Sequence, residues 1–188
     1  GKWIIQNAFS MCTECRKYYP EFRVSINLSY VQILKSPLMM ELKQMIDHSG
    51  ISCSGIIVEL TESGYLEGTP AVRSVWNDMK QLRIQIALDD FGTGYSNLMN
   101  ISNLEPDIVK LDRGFTLKAL SRSYEYQLMQ YVIEMVHKLN QYVCVEGVET
   151  KEDLEKIKAL GPDLIQGYYY SKPCSRDEFL KKFFGYSE

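Results

Sequence analysis

The sequence predicts an α/β fold of about six parallel strands joined by helices. Short apolar runs typical of buried strands alternate along the 188 residues with stretches in which apolar side chains recur at helical spacing. Strands that alternate with helices run parallel, because each helix returns the chain across the sheet in a right-handed crossover. The predicted strands also end in polar residues spaced 20 to 36 residues apart, about one strand–helix unit each: Asn27, Glu59, Asp89, Lys110, Glu146 and Gln166.

The N-terminal half contains two predicted strands and three predicted helices. In chain order these are a helix at 2–19, a strand at 23–28, a helix at 37–48, a strand at 56–60 and a helix at 70–83. The strand at 23–28 alternates apolar and polar residues, whereas the strand at 56–60 is apolar up to Glu59. The first helix is predicted to bury the stripe formed by Ile4, Ala8, Met11, Cys15 and Tyr18.

The C-terminal half contains four predicted strands. The elements are a strand ending at Asp89-Asp90, a strand at 107–112, a helix within 113–139, a strand at 142–146, a helix at 151–160, a strand at 164–167 and a helix at 175–184. Side chains of a strand alternate between its two faces, so the predicted strand at 107–112 has Ile108, Lys110 and Asp112 on one face. A lysine therefore points where a core residue is expected. The helix within 113–139 is predicted to bury Leu128, Tyr131, Val132, Met135, Val136 and Leu139.

The composition excludes several classes of protein. With a net charge of −3 and basic residues scattered along the chain, binding to a nucleic-acid polymer is not expected. No window approaches the roughly 20 apolar residues that span a bilayer, and no signal-peptide pattern is present, so we expect a cytoplasmic protein or the cytoplasmic module of a membrane-associated parent. The five cysteines are expected to be reduced thiols, because the Cys12-x-x-Cys15 spacing has no second half that would complete a zinc site.

Adjacent carboxylates occur where the third predicted strand ends. Asp89 and Asp90 precede a glycine-containing loop, and such carboxylates repel unless a cation lies near them. For an isolated pair, an Asp-rich helix N-terminus would be the common alternative. In a barrel of parallel strands all carboxyl ends open on one rim, so side chains from every strand converge, whereas a doubly wound sheet concentrates ligands at one switch point.

The strand-end residues include several oxygen ligands without sulfur or imidazole. These are Asn27, Glu59, Asp89, Asp90 and Glu146. Such a set selects a hard cation, Mg²⁺ or Mn²⁺, over zinc. Two ions roughly 3.5 to 4 Å apart would support hydrolysis of a phosphodiester.

Lys110 has two interpretations. Among carboxylates it is placed to orient or help deprotonate an attacking water and to offset charge on phosphate oxygens. It is equally explained by a structural ion pair with Asp112 or Glu146, and the two roles are compatible. Glycosidase chemistry by two carboxylates fits less well, because it requires neither the lysine, nor the asparagine, nor so many acids.

Six motifs follow one another along essentially the whole chain. They are Asn27-Leu28-Ser29, Glu59-Leu60-Thr61-Glu62, Asp89-Asp90-Phe91-Gly92-Thr93-Gly94, Lys110-Leu111-Asp112, Glu146-Gly147-Val148-Glu149 and Gln166-Gly167-Tyr168 to Pro173. In order and spacing they resemble the motifs of EAL domains. The resemblance implies a modified (β/α)8 TIM-type barrel that hydrolyses the bacterial messenger cyclic di-GMP to linear pGpG with Mg²⁺ or Mn²⁺.

The resemblance assigns roles to residues of these motifs. The expected metal ligands are Asn27, Glu59, Asp89, Asp90 and Glu146, the last serving a second metal directly or through water. The expected catalytic residues are Lys110, Glu146 and Glu149. Of these, Lys110 would hold the attacking water, and Glu149 would steady the loop at 91–96, which the family links to dimerisation and metal occupancy. The expected nucleotide contacts are Gln166, Asp112 and Pro173.

One departure from the family pattern concerns the N-terminus. The Glu-Ala-Leu motif that names the family is absent, as are the two strands expected before the helix at 2–19, and that helix has no capping side chain before it. We therefore expect residues 1–188 to be a single EAL-type domain lacking its N-terminal strands, with about six strands in an incomplete barrel and one metal-binding Glu missing. Weak or no turnover is expected of this chain, because losing a ligand weakens metal binding.

The resemblance also implies partners and an alternative function. A cyclic dinucleotide is the expected substrate, a homodimer would cover the sheet edges of an incomplete barrel, and sensor or GGDEF-type domains are expected in the parent protein. The alternative is a catalytically inactive EAL-type receptor for cyclic di-GMP or a protein-interaction module. The presence of every downstream catalytic position favours the enzyme.

Overall fold

The computed structural model describes residues 1–35, 37–61, 70–93, 101 and 104–185. In the N-terminal part these form α1 (Lys2–Cys15), β1 (Val24–Asn27), α2 (Tyr30–Lys35), α3 (Leu38–Ser49), a short 3-10 helix (Cys53–Gly55), β2 (Ile56–Thr61) and α4 (Pro70–Gln81). The remaining elements are β3 (Gln85–Phe91), β4 (Ile108–Leu111), α5 (Arg113–Ser121), α6 (Ser123–Lys138), β5 (Tyr142–Glu146), α7 (Lys151–Lys158), β6 (Leu164–Gln166) and α8 (Arg176–Phe184).

The strands form one sheet in the order β1-β2-β3-β4-β5-β6, which is their order in the chain. The ladders between β1 and β2, β3 and β4, β4 and β5, and β5 and β6 are parallel. The predicted α/β fold of six parallel strands is therefore confirmed. None of the described helices is both long and apolar enough to cross a membrane.

The described chain divides into two compact units. The first comprises Gly1–Glu59, Glu67–Ile86 and Pro173–Glu188, and the second comprises Leu60–Leu66 and Ala87–Lys172. The prediction of a single domain over residues 1–188 remains a prediction.

In the first unit, α1 buries only part of the predicted stripe: Cys15 is buried as predicted, whereas Ile4 and Tyr18 are exposed. Its buried residues are Ile5, Phe9, Cys12 and Cys15, whereas Ile4 is 61% exposed. The buried residues Ile5, Phe9 and Cys12 also have i, i+4, i+7 spacing, and Phe9 provides far more apolar area than Ala8 on the predicted stripe. The C-terminal helix α8 belongs to this unit, where its Phe184 ring lies 5.4 Å from the ring of Tyr18.

In the second unit, the segment 113–139 forms two helices, α5 and α6, and the predicted buried stripe of α6 is largely wrong. The buried residues are Met129, Ile133 and Val136, of which only Val136 was part of the predicted stripe. Tyr131 is 65% exposed, because α6 carries apolar side chains on two faces and packs only one of them.

The prediction of reduced cysteines is confirmed, since all five residues are thiols. Cys12 and Cys15 lie in the buried face of α1. Burial raises the pKa of the Cys15 thiol to about 11, and it also raises the pKa of Cys12. Such thiols are protonated at neutral pH and are poor nucleophiles and metal ligands, so Cys12 and Cys15 serve the core.

Candidate functional site

Asp89 and Asp90 lie at an irregularity in the ladder between β3 and β4. Leu88 is aligned with Val109 and Phe91 with Leu111, so the two acids lie opposite the single residue Lys110. This two-against-one arrangement is a β-bulge, a feature that redirects side chains and is common beside active sites. Asp90 has a φ of +60°, a conformation that Asp adopts more readily than most residues.

The bulge has a direct effect on the two carboxylates. Leu88 and Phe91 on either side are buried, while Asp89 and Asp90 are both partly exposed. Without the extra residue, alternation along β3 would place one of the two acids on the opposite face from the other. The insertion therefore provides the strand end with two carboxylates that solvent can reach.

Lys110 is buried between two acids of neighbouring strands. Its side chain is 6% exposed, and its Nζ lies 3.0 Å from Oδ1 of Asp89 and 2.7 Å from Oε1 of Glu146. A buried ammonium requires compensating charge, which these two carboxylates provide. The predicted inward orientation of Lys110 and its ion pair with Glu146 are confirmed, and the pair with Asp89 is an additional finding.

One oxygen of this cluster has an unusual environment. Oδ1 of Asp89 is buried and accepts no hydrogen bond within the described ranges, although the Lys110 ammonium is 3.0 Å away. The contact has the distance of an ion pair but lacks hydrogen-bond geometry. A buried carboxylate oxygen without a donor fits the chemistry of a hard divalent cation. However, no three or more Asp, Glu, His or Cys side chains of the described residues are grouped so as to hold a metal ion.

Glu149 follows β5 and pairs with a residue that the sequence did not single out. Its Oε1 accepts hydrogen bonds from Nη2 of Arg113 at 2.7 Å and from Nε at 3.2 Å. These bonds and the charge of Glu149 raise the pKa of Arg113. The aliphatic part of the Arg113 side chain also passes over Gly147, where an added Cβ would overlap the Arg113 Cγ and Cβ atoms. Arg113 directly follows the Lys110-Leu111-Asp112 motif. A positively charged residue beside this motif was the sequence signal by which the partner of Glu149 could have been found.

The three residues that were predicted to contact the nucleotide differ in their position in the fold and in their exposure. Asp112 lies after the end of β4 and caps α5, accepting a hydrogen bond from the Gly114 amide at 2.6 Å. Gln166 is exposed at the end of β6 and is aligned with Glu146. Pro173 is exposed and belongs to the first unit. The nucleotide-binding roles of these three residues remain predictions.

The first unit holds the other two predicted metal ligands. The register of β1 and β2 aligns Asn27 with Glu59 at the end of the ladder, so this part of the predicted convergence is present. Glu59 is 6% exposed, unusually buried for a carboxylate. Their role as ligands, together with Asp89, Asp90 and Glu146, remains a prediction. Glu62 and residues 94–96 of the loop assigned to Glu149 lie outside the described residues.

Comparison with known proteins gives consistent matches over nearly the whole chain. The family model described as the EAL domain matches residues 1–173. The cyclic di-GMP phosphodiesterase PdeF of Escherichia coli (strain K12) is 31% identical over 171 residues, which cover 91% of this chain and 23% of PdeF.

Two solved structures show the same fold. The EAL enzyme Bd1971 in its cAMP- and cyclic-di-GMP-bound form has a TM-score of 0.91 and 28% identity, covering 97% of this chain and 50% of that one. Klebsiella pneumoniae BlrP1 in a manganese and cyclic di-GMP complex has a TM-score of 0.80 and 25% identity, covering 91% and 43%. The present chain thus spans half or less of these proteins. The similarities confirm the predicted TIM-type fold class.

Proposed function

The chain belongs to the EAL domain family, and we propose that it carries the catalytic site of a divalent-metal-dependent phosphodiesterase that hydrolyses cyclic di-GMP to linear pGpG. The observation that carries this proposal is the buried Lys110 ammonium between the carboxylates of Asp89 and Glu146. Hydrolysis of a phosphodiester requires a positioned water, an acceptor for its proton and positive charge near the phosphate oxygens. PdeF bears the name of this activity, and BlrP1 binds manganese with cyclic di-GMP, which supports the assignment.

In this proposal the chain's own residues provide the proton transfers. Lys110 hydrogen-bonds the attacking water and offsets charge on the phosphate oxygens, while Glu146, whose Oε1 is 2.7 Å from the lysine, accepts the proton of that water. The water oxygen bonds to phosphorus, the bond from phosphorus to the ribose oxygen breaks, and the released oxygen takes up a proton from solvent, to which Glu146 returns the proton that it accepted. A divalent cation, Mg²⁺ or Mn²⁺, would polarise the phosphate, and in the second unit Asp89, Asp90 and Glu146 are the residues proposed to hold it.

The experiment uses the full-length parent protein with Asp89→Asn, which keeps the shape of the side chain and removes its charge. Hydrolysis of cyclic di-GMP with Mg²⁺ or Mn²⁺, measured as pGpG by chromatography, is expected to fall by about 100-fold, because a carboxylate essential for cation binding is lost. Asp177→Asn is the matched control, since its carboxylate is 82% exposed on α8. Full hydrolysis by the Asp89→Asn protein would contradict the proposal.

A second candidate function is a cyclic di-GMP receptor without turnover. It is favoured by the finding that no three acidic, His or Cys side chains within the described residues are grouped to hold a metal. The 188-residue chain is then expected to bind cyclic di-GMP in calorimetry but to form little or no pGpG with Mg²⁺. Robust pGpG formation by this chain would exclude the receptor and contradict the expectation of impaired turnover.

The remaining proposals concern location and partners. We propose a cytoplasmic protein or a cytoplasmic module of a membrane-associated parent, supported by five cysteines that are all thiols.

Sensor or GGDEF-type domains are proposed for the parent protein, supported by the chain's coverage of only 23% of PdeF. A homodimer is proposed from the family resemblance, and light scattering during size-exclusion chromatography measures it.

A further inference from the structure

The start of α5, residues 112–115, lies between the ends of two strands that carry acids of the proposed active site. β4 leads directly into α5, and β3 and β5 are the neighbours of β4 in the sheet. We propose that two side chains of this turn, Arg113 and Phe115, are positioning residues that together fix the backbone following Asp90 and Glu146. The inference rests on the proposed function for the role of these two acids, and it adds residues that act on them through the backbone.

Phe115 holds the chain that leaves β3. The Asp112 amide donates a hydrogen bond of 3.1 Å to the Phe91 carbonyl, which joins the two segments at the backbone. The partly buried Phe115 side chain packs against Gly92, where an added Cβ would lie 3.1 Å from Cδ1 and 3.3 Å from Cβ of the phenylalanine. Gly92 comes two residues after Asp90 and has a φ of +105°, which favours glycine. The path of the chain after Asp90 therefore depends on this contact.

Arg113 holds the chain that leaves β5 in a corresponding way. Its aliphatic part packs on Gly147, where an added Cβ would overlap the arginine Cγ, and Gly147 directly follows Glu146 with a φ of +83°. Beyond the glycine, the guanidinium donates hydrogen bonds of 2.7 and 3.2 Å to Oε1 of Glu149. One side chain thus contacts both ends of the segment 147–149.

The two contacts are linked because both side chains belong to one helical turn. Two hydrogen bonds close this turn: Oδ2 of Asp112 accepts one from the Gly114 amide at 2.6 Å, and the Asp112 carbonyl accepts one from the Thr116 amide at 3.0 Å. A turn closed in this way moves as a unit, and closely packed groups transmit its movement to the groups they contact. A displacement at the end of β3 therefore reaches the end of β5, and the reverse.

The two strand ends need this support because strand pairing does not fix them. The ladder between β3 and β4 is irregular at Asp89 and Asp90, so regular pairing does not set the direction of the chain there. On the other side, β5 ends at Glu146, and the next residue, Gly147, has no side chain of its own to pack. Reacting groups keep a productive geometry only when neighbouring side chains lock them in place, and the start of α5 provides such a lock on both sides.

The first experiment compares backbone amide signals by NMR in the isotope-labelled 188-residue chain. Arg113→Met is expected to shift the amide signal of Gly92, which Arg113 does not need to touch, and Phe115→Leu is expected to shift that of Gly147. Lys118→Met is the matched control, because it changes an exposed residue in the last turn of the same helix, and it is expected to move neither signal. If Arg113→Met leaves Gly92 where the control leaves it, the two contacts are local packing and the inference is overturned.

The second experiment measures hydrolysis of cyclic di-GMP by the full-length parent protein. Arg113→Met keeps an aliphatic chain over Gly147 but loses the bonds to Glu149, and kcat is expected to fall about tenfold with KM within about twofold, since misplaced reacting groups cost rate more than affinity. Arg113→Lys keeps one donor for Glu149 and is expected to restore part of kcat. An unchanged kcat in Arg113→Met would contradict a positioning role.

The two experiments separate this inference from the proposed function. An unmodified parent protein that forms no pGpG would show that the proposed function is wrong. The amide signals are measured without substrate, so they still decide whether the start of α5 joins the two strand ends.

Discussion

Gly147, between Glu146 and the Arg113–Glu149 ion pair, has a conformation that suits glycine. Its φ is +83°, and a Cβ at this position would overlap the Arg113 side chain and lie 3.1 Å from the Arg113 Cα. L-residues other than glycine are disfavoured in this region of φ. The close approach lets Arg113 reach Glu149 across the chain that leaves β5.

We expect Gly147→Ala to lower the free energy of unfolding by about 2 to 3 kcal/mol, from left-handed strain and the overlap with Arg113. Gly161→Ala is the matched control, because Gly161 has a φ of +74° but no atom within 4 Å of an added Cβ. That variant is expected to lose about 1 kcal/mol, from strain alone. Urea denaturation measures both, and equal losses would show that the contact with Arg113 does not restrict position 147.

The helix α5 begins directly after β4, and Asp112 forms its N-cap. The side chain satisfies the Gly114 amide, one of the donors left without a partner at a helix start. The same residue is a predicted nucleotide contact. Helix capping is by itself a sufficient reason for an aspartate at position 112. A role of Asp112 in nucleotide binding therefore has to be tested with a variant that keeps the cap but removes the carboxylate.

Asp112→Ala is expected to lower the free energy of unfolding by about 1 kcal/mol through loss of the cap. Asp112→Ser retains a capping oxygen and is expected to keep most of that stability. Thermal unfolding of the two variants compares them. If Asp112→Ser is as stable as the unmodified chain but binds cyclic di-GMP more weakly, the carboxylate also serves the nucleotide; if both variants are fully stable, the cap contributes nothing.

At the scale of the molecule, the first unit brings sequence-distant segments together. Arg176 at the start of α8 pairs with Glu14 of α1, and the ring of Phe179 lies 6.0 Å from that of Phe22. Leu180 of α8 is 2% exposed. The EAL family model ends at residue 173, so α8 is a part of this core beyond the family match.

Leu180→Ala is expected to lower the free energy of unfolding by about 2 to 4 kcal/mol, because it leaves a cavity in the core. Lys181→Ala changes the adjacent exposed residue and is expected to stay within about 0.5 kcal/mol of the unmodified chain. Guanidinium denaturation measures the difference. Equal midpoints for the two variants would mean that α8 does not contribute to the stability of the first unit.

Much of the fold could be predicted because strands have local signatures. The strand at 142–146 was predicted with its observed bounds, and the burial of Lys110 followed from period two in β4. The buried faces of α1 and α6 could not be predicted in the same way. Each helix carries two apolar stripes, and the choice between them depends on the element that packs against it.

For the candidate site, the identity of the residues could be predicted from the sequence, whereas the contacts between them could not. The amino-acid sequence alone established which residues end the strands and their chemistry, because apolar runs, strand alternation and motif order are encoded locally. The bulge at Asp89-Asp90, the contacts of Lys110 with both Asp89 and Glu146, and the pairing of Arg113 with Glu149 required the folded chain. These contacts depend on the register between strands far apart in the sequence, and register is set by the packing of the whole sheet.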